Sequence, residues 1–465
     1  MRHFITPVLA GTALLAAIVA PRLAASLQPA PVGDADPVPT DTAPPSVADL
    51  DPTQPLLQVR LDRDTALAGG LVRAELTVVA PTVDTDTQSL PTDVVLVIDR
   101  SGSMGGDKME DAKQAAHSLV NLLGTDDRVA VVSFSDGARI DSPLAEGDWK
   151  TVGAIRALSA AGGTEMQAGL QQAISLVAEP TPGRARRVIL LSDGQPNTRG
   201  GLPELAHRAA QLESPLTTVG IGADYDVELM QQLADAGTGN FYWARKDMPL
   251  ASVFANEFDA TRAAVTSRTT LAWTAPTGVE VVDWGGLSSQ GNQVELGQLF
   301  SGQRRSHWVT LRIDGSVDAE EVLLGGMKLS WSSAADGATG AMVADLGTVE
   351  VTHDQQVAMA GLDHSAWAAS VVEEEYNQVL GDVQSKLSRG DKAGALQDLK
   401  SYRQRNERLN AHVKSAAVVD NLAEVDALEQ QVQHDQMKKT GLLDLANQAW
   451  SGRRKGQVYR PSPRP

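Results

Sequence analysis

Near its start the chain alternates apolar and polar residues with a period of two. Leu57, Val59 and Leu61 interleave with Gln58, Arg60 and Asp62, and Val72, Ala74, Leu76 and Val78 interleave with Arg73, Glu75 and Thr77. Such alternation predicts strands with one face in a core and one in solvent. Two strands alone are not a stable unit, so they require partners elsewhere in the chain. From Asp93 the pattern changes. Unbroken apolar runs (VVLVI from Val94, RVAVVSF from Arg128, RRVILLS from Arg186, LTTVGIG from Leu216) take turns with segments of helical period at 112–123, 168–177, 202–211 and 227–235. Apolar runs without polar alternation suit parallel strands covered on both faces by helices.

This pattern predicts an α/β fold, a doubly wound and mainly parallel sheet, over residues 91–265. Two-residue alternation then returns, from Leu271 and Trp273 through Val309, Leu311, Ile313, Leu323, Leu329 and Trp331 to Val349 and Val351. The economical arrangement is one antiparallel β-sandwich built from 56–90 and 268–352, with the α/β domain inserted between its strands. Residues 353–436 turn helical, with Leu362, Ala366, Val372, Tyr376, Val379 and Val383 along one side and a break at Gly390-Asp391. The stretch 437–465, with Lys438, Lys439, Arg453, Arg454 and Lys455, reads as a basic flexible tail.

Composition narrows the function. A net charge of -18 argues against nucleic acid, which is bound through clustered Lys and Arg. The absence of cysteine rules out a disulfide framework, thiol catalysis and thiolate metal sites. At the N-terminus, MRH precedes an apolar run from Phe4 to Ala20 and then small residues, the layout of a secretory signal, with an uncleaved membrane anchor as the alternative. Residues 1–25 are assigned to that segment and the Pro-rich 26–55 to an extended tether. The expected location is therefore outside the cytoplasm: periplasmic, secreted or anchored at the envelope.

Chemistry concentrates where strands end. In a doubly wound sheet, functional groups gather beyond the carboxyl ends of the strands. Asp99 closes the run VVLVI, and Ser101 and Ser103 follow in a glycine-containing loop. Thr164 follows Gly162-Gly163, and Asp193 follows the apolar run before LSDG. Two carboxylates and three hydroxyls from three loops make an oxygen-only donor set, which suits a hard divalent cation. Asp, Ser and Gly are also ordinary turn formers, so a single D-x-S-x-S reads as a turn; three elements at three sheet ends favour the metal site.

In this order and spacing DRSGSM, AGGT and SDG resemble the metal-ion-dependent adhesion site (MIDAS) of the von Willebrand factor A (VWA) domain family. GIGADYDVELMQQLADAGTGNFYWA, from Gly220, also resembles the closing segment of bacterial members, and the resemblance spans about 90–265. It implies that Ser101, Ser103 and Thr164 ligate Mg2+ (Mn2+ or Ca2+ as alternatives), with Asp99 and Asp193 bound directly or through water. One coordination position is then left for a carboxylate of a partner. Gly105, Gly106, Asp107, Asp136, Glu165, Met166, Gln195, Asn197, Thr198 and Arg199 flank that rim, and each is read first as a solvated loop residue.

Other motifs carry less. The histidines lack the spacing of a zinc hydrolase, GIGAD lacks the third glycine of a dinucleotide loop, and Glu373, Glu374 and Glu375 read as a solvated helix face. The expectation is a non-enzymatic, exported protein that binds an acidic residue of a partner through Mg2+. The membrane is involved only through an N-terminal anchor. A structural role in an envelope complex is the first rival, and a metal-assisted hydrolase, which lacks a visible general base or nucleophile, the second. The segment 247–263 reads as the last helix of the α/β domain, placed so that sliding would couple the site to the sandwich.

Overall fold

The run from Val94 to Ile98 becomes a strand whose every residue is buried, because it has helices on both faces. In the computed structural model, which describes residues 53–454 apart from 84–88, 180, 182, 246–247, 288 and 317–319, it is β4 (Thr92–Asp99). Val94, Leu96 and Ile98 enter one hydrophobic cluster and Val95 and Val97 another, on opposite sides of the sheet. The expected signal or anchor, nearly all of the tether and the last eleven residues lie outside the described residues.

Upstream stand β1 (Leu56–Leu61), β2 (Thr65–Leu67) and β3 (Leu71–Val79). After β4 come α1 (Asp107–Val120), β5 (Arg128–Phe134), β6 (Ala138–Ala145), α2 (Trp149–Arg156), α3 (Met166–Leu176) and β7 (Ala185–Ser192). They are followed by α4 (Leu202–Gln211), β8 (Leu216–Ile221), α5 (Val227–Ala236), β9 (Thr238–Ala244) and α6 (Leu250–Arg262). The six-stranded sheet has the order β6-β5-β4-β7-β8-β9. All neighbours are parallel except β6, which runs antiparallel to β5 at one edge. The connection leaving β4 moves toward β5 while that leaving β7 moves toward β8, so the switch point lies between the ends of β4 and β7. Asp99 and Asp193 border it.

The orphan strands find their partners beyond this domain. β10 (Thr266–Thr274), β11 (Val279–Asp283), β12 (Ser289–Gln290), β13 (Gln293–Glu295), β14 (Arg304–Ile313), β15 (Glu321–Leu323), β16 (Gly326–Ser333), β17 (Thr339–Asp345) and β18 (Thr348–Thr352) follow α6. β3 pairs with β1 on one side and β14 on the other, with Leu76 opposite His307, in the sheet β1-β3-β14-β11. The second sheet, β12-β13-β10-β16-β17, faces it across a core of Val72, Leu76, Leu271, Trp273, Leu311 and Leu329. The α/β domain is thus inserted in a β-sandwich. Two details depart from expectation. A third sheet, β15-β18-β2, contains a parallel pair. Leu323, expected in the core, is 52% exposed, because Val322 and Leu324 turn inward in its place.

The C-terminal region contains α7 (Gln355–Ala360), α8 (His364–Ser370), α9 (Tyr376–Ser388), α10 (Lys392–Val413) and α11 (Ala416–Gln433), with a π-helical turn at Val371–Glu375 between α8 and α9. Glu374 and Glu375, expected on a solvated face, are buried. Glu375 is ion-paired with Arg73 of β3 and Arg405 of α10. The expected flexible tail is instead a helix, α12 (Lys439–Arg453), over most of its described length. Leu443 and Trp450 join the α/β core, and Trp450 meets Phe241 edge-on at 5.9 Å, so apolar burial outweighs the basic composition there. Among the described residues no helix is long and apolar enough to cross a membrane.

Candidate functional site

The loop after β4 is held in a tight curl by the last residue of the strand, Asp99. Ser101 N–H donates to Asp99 Oδ1 at 2.7 Å, and Gly102 N–H donates to the Gly162 carbonyl at 3.0 Å, pinning this loop to the one that carries Thr164. Gly162 has φ +83°, and a Cβ there would lie 2.4 Å from Asp136 Oδ2, so the second loop requires glycine at this point. Asp136 also accepts from Gly163 N–H at 2.7 Å. The third loop joins through Asn197, whose N–H donates to the Thr164 carbonyl at 3.0 Å.

The five predicted side chains come together. Ser101 Oγ and Ser103 Oγ are 3.0 Å apart, and Ser103 Oγ donates to Asp193 Oδ1 at 2.8 Å. A Cβ placed on Gly194 would be 3.5 Å from Thr164 Oγ1, 3.6 Å from Ser103 Oγ and 3.9 Å from Asp99 Oδ2. Groups from the first two loops therefore close around a glycine of the third. Asp99 and Asp193 are buried at the base, while Ser103 reaches solvent. Burial pushes the Asp99 carboxyl up, hydrogen bonds from Ser192 and Ser101 partly restrain it, and the Asp193 charge adds to the push.

This donor set fits a divalent cation on its own chemistry. Two carboxylates lie buried side by side with hydroxyls as their neighbours, an arrangement that a cation relieves. Among the described residues no three His, Asp or Glu side chains cluster to hold a metal, so any cation here depends on the hydroxyls.

Two contributors escape the motif reading. Ser192 Oγ donates to Asp99 Oδ2 at 2.6 Å and orients that carboxylate from beneath. Lys108, in the first turn of α1, is ion-paired with Asp193 and donates to the Ser103 carbonyl at 3.3 Å. Ser192 adjoins Asp193 in LSDG, so its sequence position was a usable signal; nothing local marks Lys108. Of the flanking residues, Asp136 and Asn197 brace the loops, Met166 is buried core, and Arg199 is ion-paired with Asp226.

A family model described as the von Willebrand factor type A domain matches residues 93–256. This segment is a VWA domain. An uncharacterized protein of Synechocystis is 26% identical over 338 residues, 68% of this chain and 79% of its own length. The mouse inter-alpha-trypsin inhibitor heavy chain H2 is 28% identical over 165 residues, 32% of this chain but 17% of that protein, so the match is confined to about a sixth of that relative. Among solved structures, a von Willebrand factor type A protein from Catenulispora acidiphila superposes with TM-score 0.64 at 19% identity, covering 88% of this chain and 98% of its own. The ArnB paralog VWA2 from Sulfolobus acidocaldarius gives TM-score 0.58 at 16% identity, with 87% and 99% covered. These two carry the VWA domain, sandwich and helices as a shared fold.

Proposed function

We propose that this chain is an exported, non-enzymatic binding protein whose VWA domain holds a divalent cation, Mg2+ in the first place, and grips an acidic residue of a protein partner through it. The observation that carries this reading is the convergence of Asp99, Ser101, Ser103, Thr164 and Asp193 at the sheet's switch point. The Ser101, Ser103 and Thr164 hydroxyls would take the cation directly, and the two carboxylates would balance its charge. When bound, the cation supplies an electrophilic position for an outside carboxylate. Neutral hydroxyls leave that position strongly attractive, which is why hydroxyls rather than further carboxylates suit the task. The export assignment rests on the apolar N-terminal run after MRH.

The rival, a scaffold presenting its helices to an assembly, is less favoured because the last of those helices is engaged internally. α12 packs on the VWA domain through Trp450, and Gln231 Nε2 donates to the Ala446 carbonyl at 2.8 Å. The test is calorimetric titration of Mg2+, Mn2+ and Ca2+ into the full chain and into Asp193→Ala. Saturable binding lost in the variant is expected; equal heats from both proteins refute the cation site.

A further inference from the structure

Lys108 stands where helix electrostatics disfavour it. It is the second residue of α1, where the N-terminal end of the macrodipole repels cations. Its ammonium nevertheless turns to the metal-site carboxylate, ion-pairing with Asp193, whose side chain is fully buried. One monovalent charge on the protein thus occupies the anion that the cation-binding reading assigns to a divalent ion.

An alternative resting place lies alongside. The Lys108 Nζ and Cε atoms pass 3.7 and 3.5 Å from where a Cβ on Gly222 would stand, next to the loop that carries Asp224. Asp224 is 77% exposed and already faces Lys439 at the start of α12. Its carboxyl is held below the usual range, chiefly by Lys439 and to a smaller degree by the charge of Lys108. Around the rim the charges therefore alternate: Asp193, Lys108, Asp224, Lys439.

Resting on the cation-binding reading of the site, we propose that Lys108 is a tethered counter-ion that competes with the divalent cation for Asp193 and swings toward Asp224 when the cation is held. Such a residue keeps two buried carboxylates compatible when no cation is present, and weakens cation affinity in return. A weakened site fills at lower cation concentration once a partner carboxylate completes the cation's shell. Lys108 thereby makes cation and partner binding mutually dependent.

The test uses the full chain, stripped of metal, with Mg2+ alone as the probe. Calorimetry on the parent, Lys108→Met and Lys108→Arg should show about tenfold tighter Mg2+ binding in the Met variant, equal to about 1.4 kcal/mol, and near-parent affinity in the Arg variant. Unchanged or weaker binding by Lys108→Met overturns the proposal. In parallel, amine labelling of Lys108 read by mass spectrometry should accelerate both on adding Mg2+ and in Asp193→Asn without metal. Saturable Mg2+ binding with Lys108 labelling indifferent to both changes defeats the counter-ion role alone. Acceleration in Asp193→Asn, with no heat and no labelling response to Mg2+, shows that the cation-binding reading has failed and takes the competition with it.

Discussion

Glu257 of α6 accepts a hydrogen bond from the Tyr242 hydroxyl of β9 at 2.7 Å, fastening the last helix of the VWA domain to the edge of its sheet. Asn240 Nδ2 donates to the same carboxylate at 2.7 Å, Thr217 Oγ1 at 2.5 Å, and Arg187 lies 3.5 Å away as its ion partner. Arg187 in turn donates to Thr261 Oγ1 and Gln298 Oε1, each at 3.1 Å, carrying the network to the edge of the sandwich.

This fastening opposes the sliding helix considered from the sequence. Removing the carboxylate leaves Arg187 buried without its ion partner, so Glu257→Ala should cost about 3–5 kcal/mol of stability, measured by urea unfolding. Amide exchange across α6 should not change on saturation with Mg2+. Exchange that rises along the whole helix with Mg2+ would restore the sliding mechanism.

Ser192 supports the site from below. Ser192→Ala removes the 2.6 Å bond to Asp99 and should cost about 1–3 kcal/mol. Weaker Mg2+ binding should accompany it, since Asp99 loses its orientation. Thermal unfolding and calorimetry on the same variant separate the two effects.

Glu374 provides a pH signature away from the metal site. It is 4% exposed at the junction of helices and sandwich. Burial and the Asp283 carboxyl raise it from its ordinary 4.5 to about 8, with Arg453 and Arg73 opposing. Between about pH 4.5 and 8 the folded chain keeps a proton that the unfolded chain has lost. Stability is therefore fully present below that window and falls as pH rises through it, by at most about 1.4 kcal/mol per unit. Glu374→Gln should flatten this slope in melting curves taken from pH 5 to 9. A parent curve that does not decline over this range would contradict the assignment.

Trp450 tests the bond between α12 and the VWA domain. Its ring is 2% exposed and its Nε1 donates to Asp235 Oδ1 at 2.8 Å. Trp450→Ala should destabilise the chain by about 3–5 kcal/mol. Proteolysis after Gln436 should accelerate with it, and resistance equal to the parent would show that α12 does not depend on this anchor.

What the sequence made legible follows the range over which each signal acts. The run from Val94 to Ile98 and the Asp99, Ser101, Ser103 triplet are local, so period and spacing sufficed to place the strand and the loop. The edge strand β6 was missed because ARIDSPLA is half exposed and neither alternates cleanly nor runs apolar. Glu375 looked solvated because its ion partner Arg73 lies 302 residues away. Lys108 went unremarked for a related reason: its role depends on Asp193, 85 positions on, and a lysine early in a helix is otherwise unremarkable. Helix α12 was hidden by its charges, since the apolar surface that receives Leu443 and Trp450 belongs to another domain.

The insertion of the VWA domain also sets an order of assembly. β3 leaves the ribosome with β1, but its other neighbour, β14, follows only after the whole inserted domain has been made. Until then one hydrogen-bonding edge of β3 stays open, the kind of edge that invites pairing with other chains. The inserted domain shortens the wait. Leu90 N–H donates to the Arg262 carbonyl at 3.2 Å, so where the chain enters and leaves the domain are side by side. Once folded, the domain turns a very long loop into a short one, and the two halves of the sandwich meet at little entropic cost. Damage to the VWA core therefore delays closure of the sandwich as well, and newly made chains of such variants should accumulate as aggregates before any loss of binding is detected.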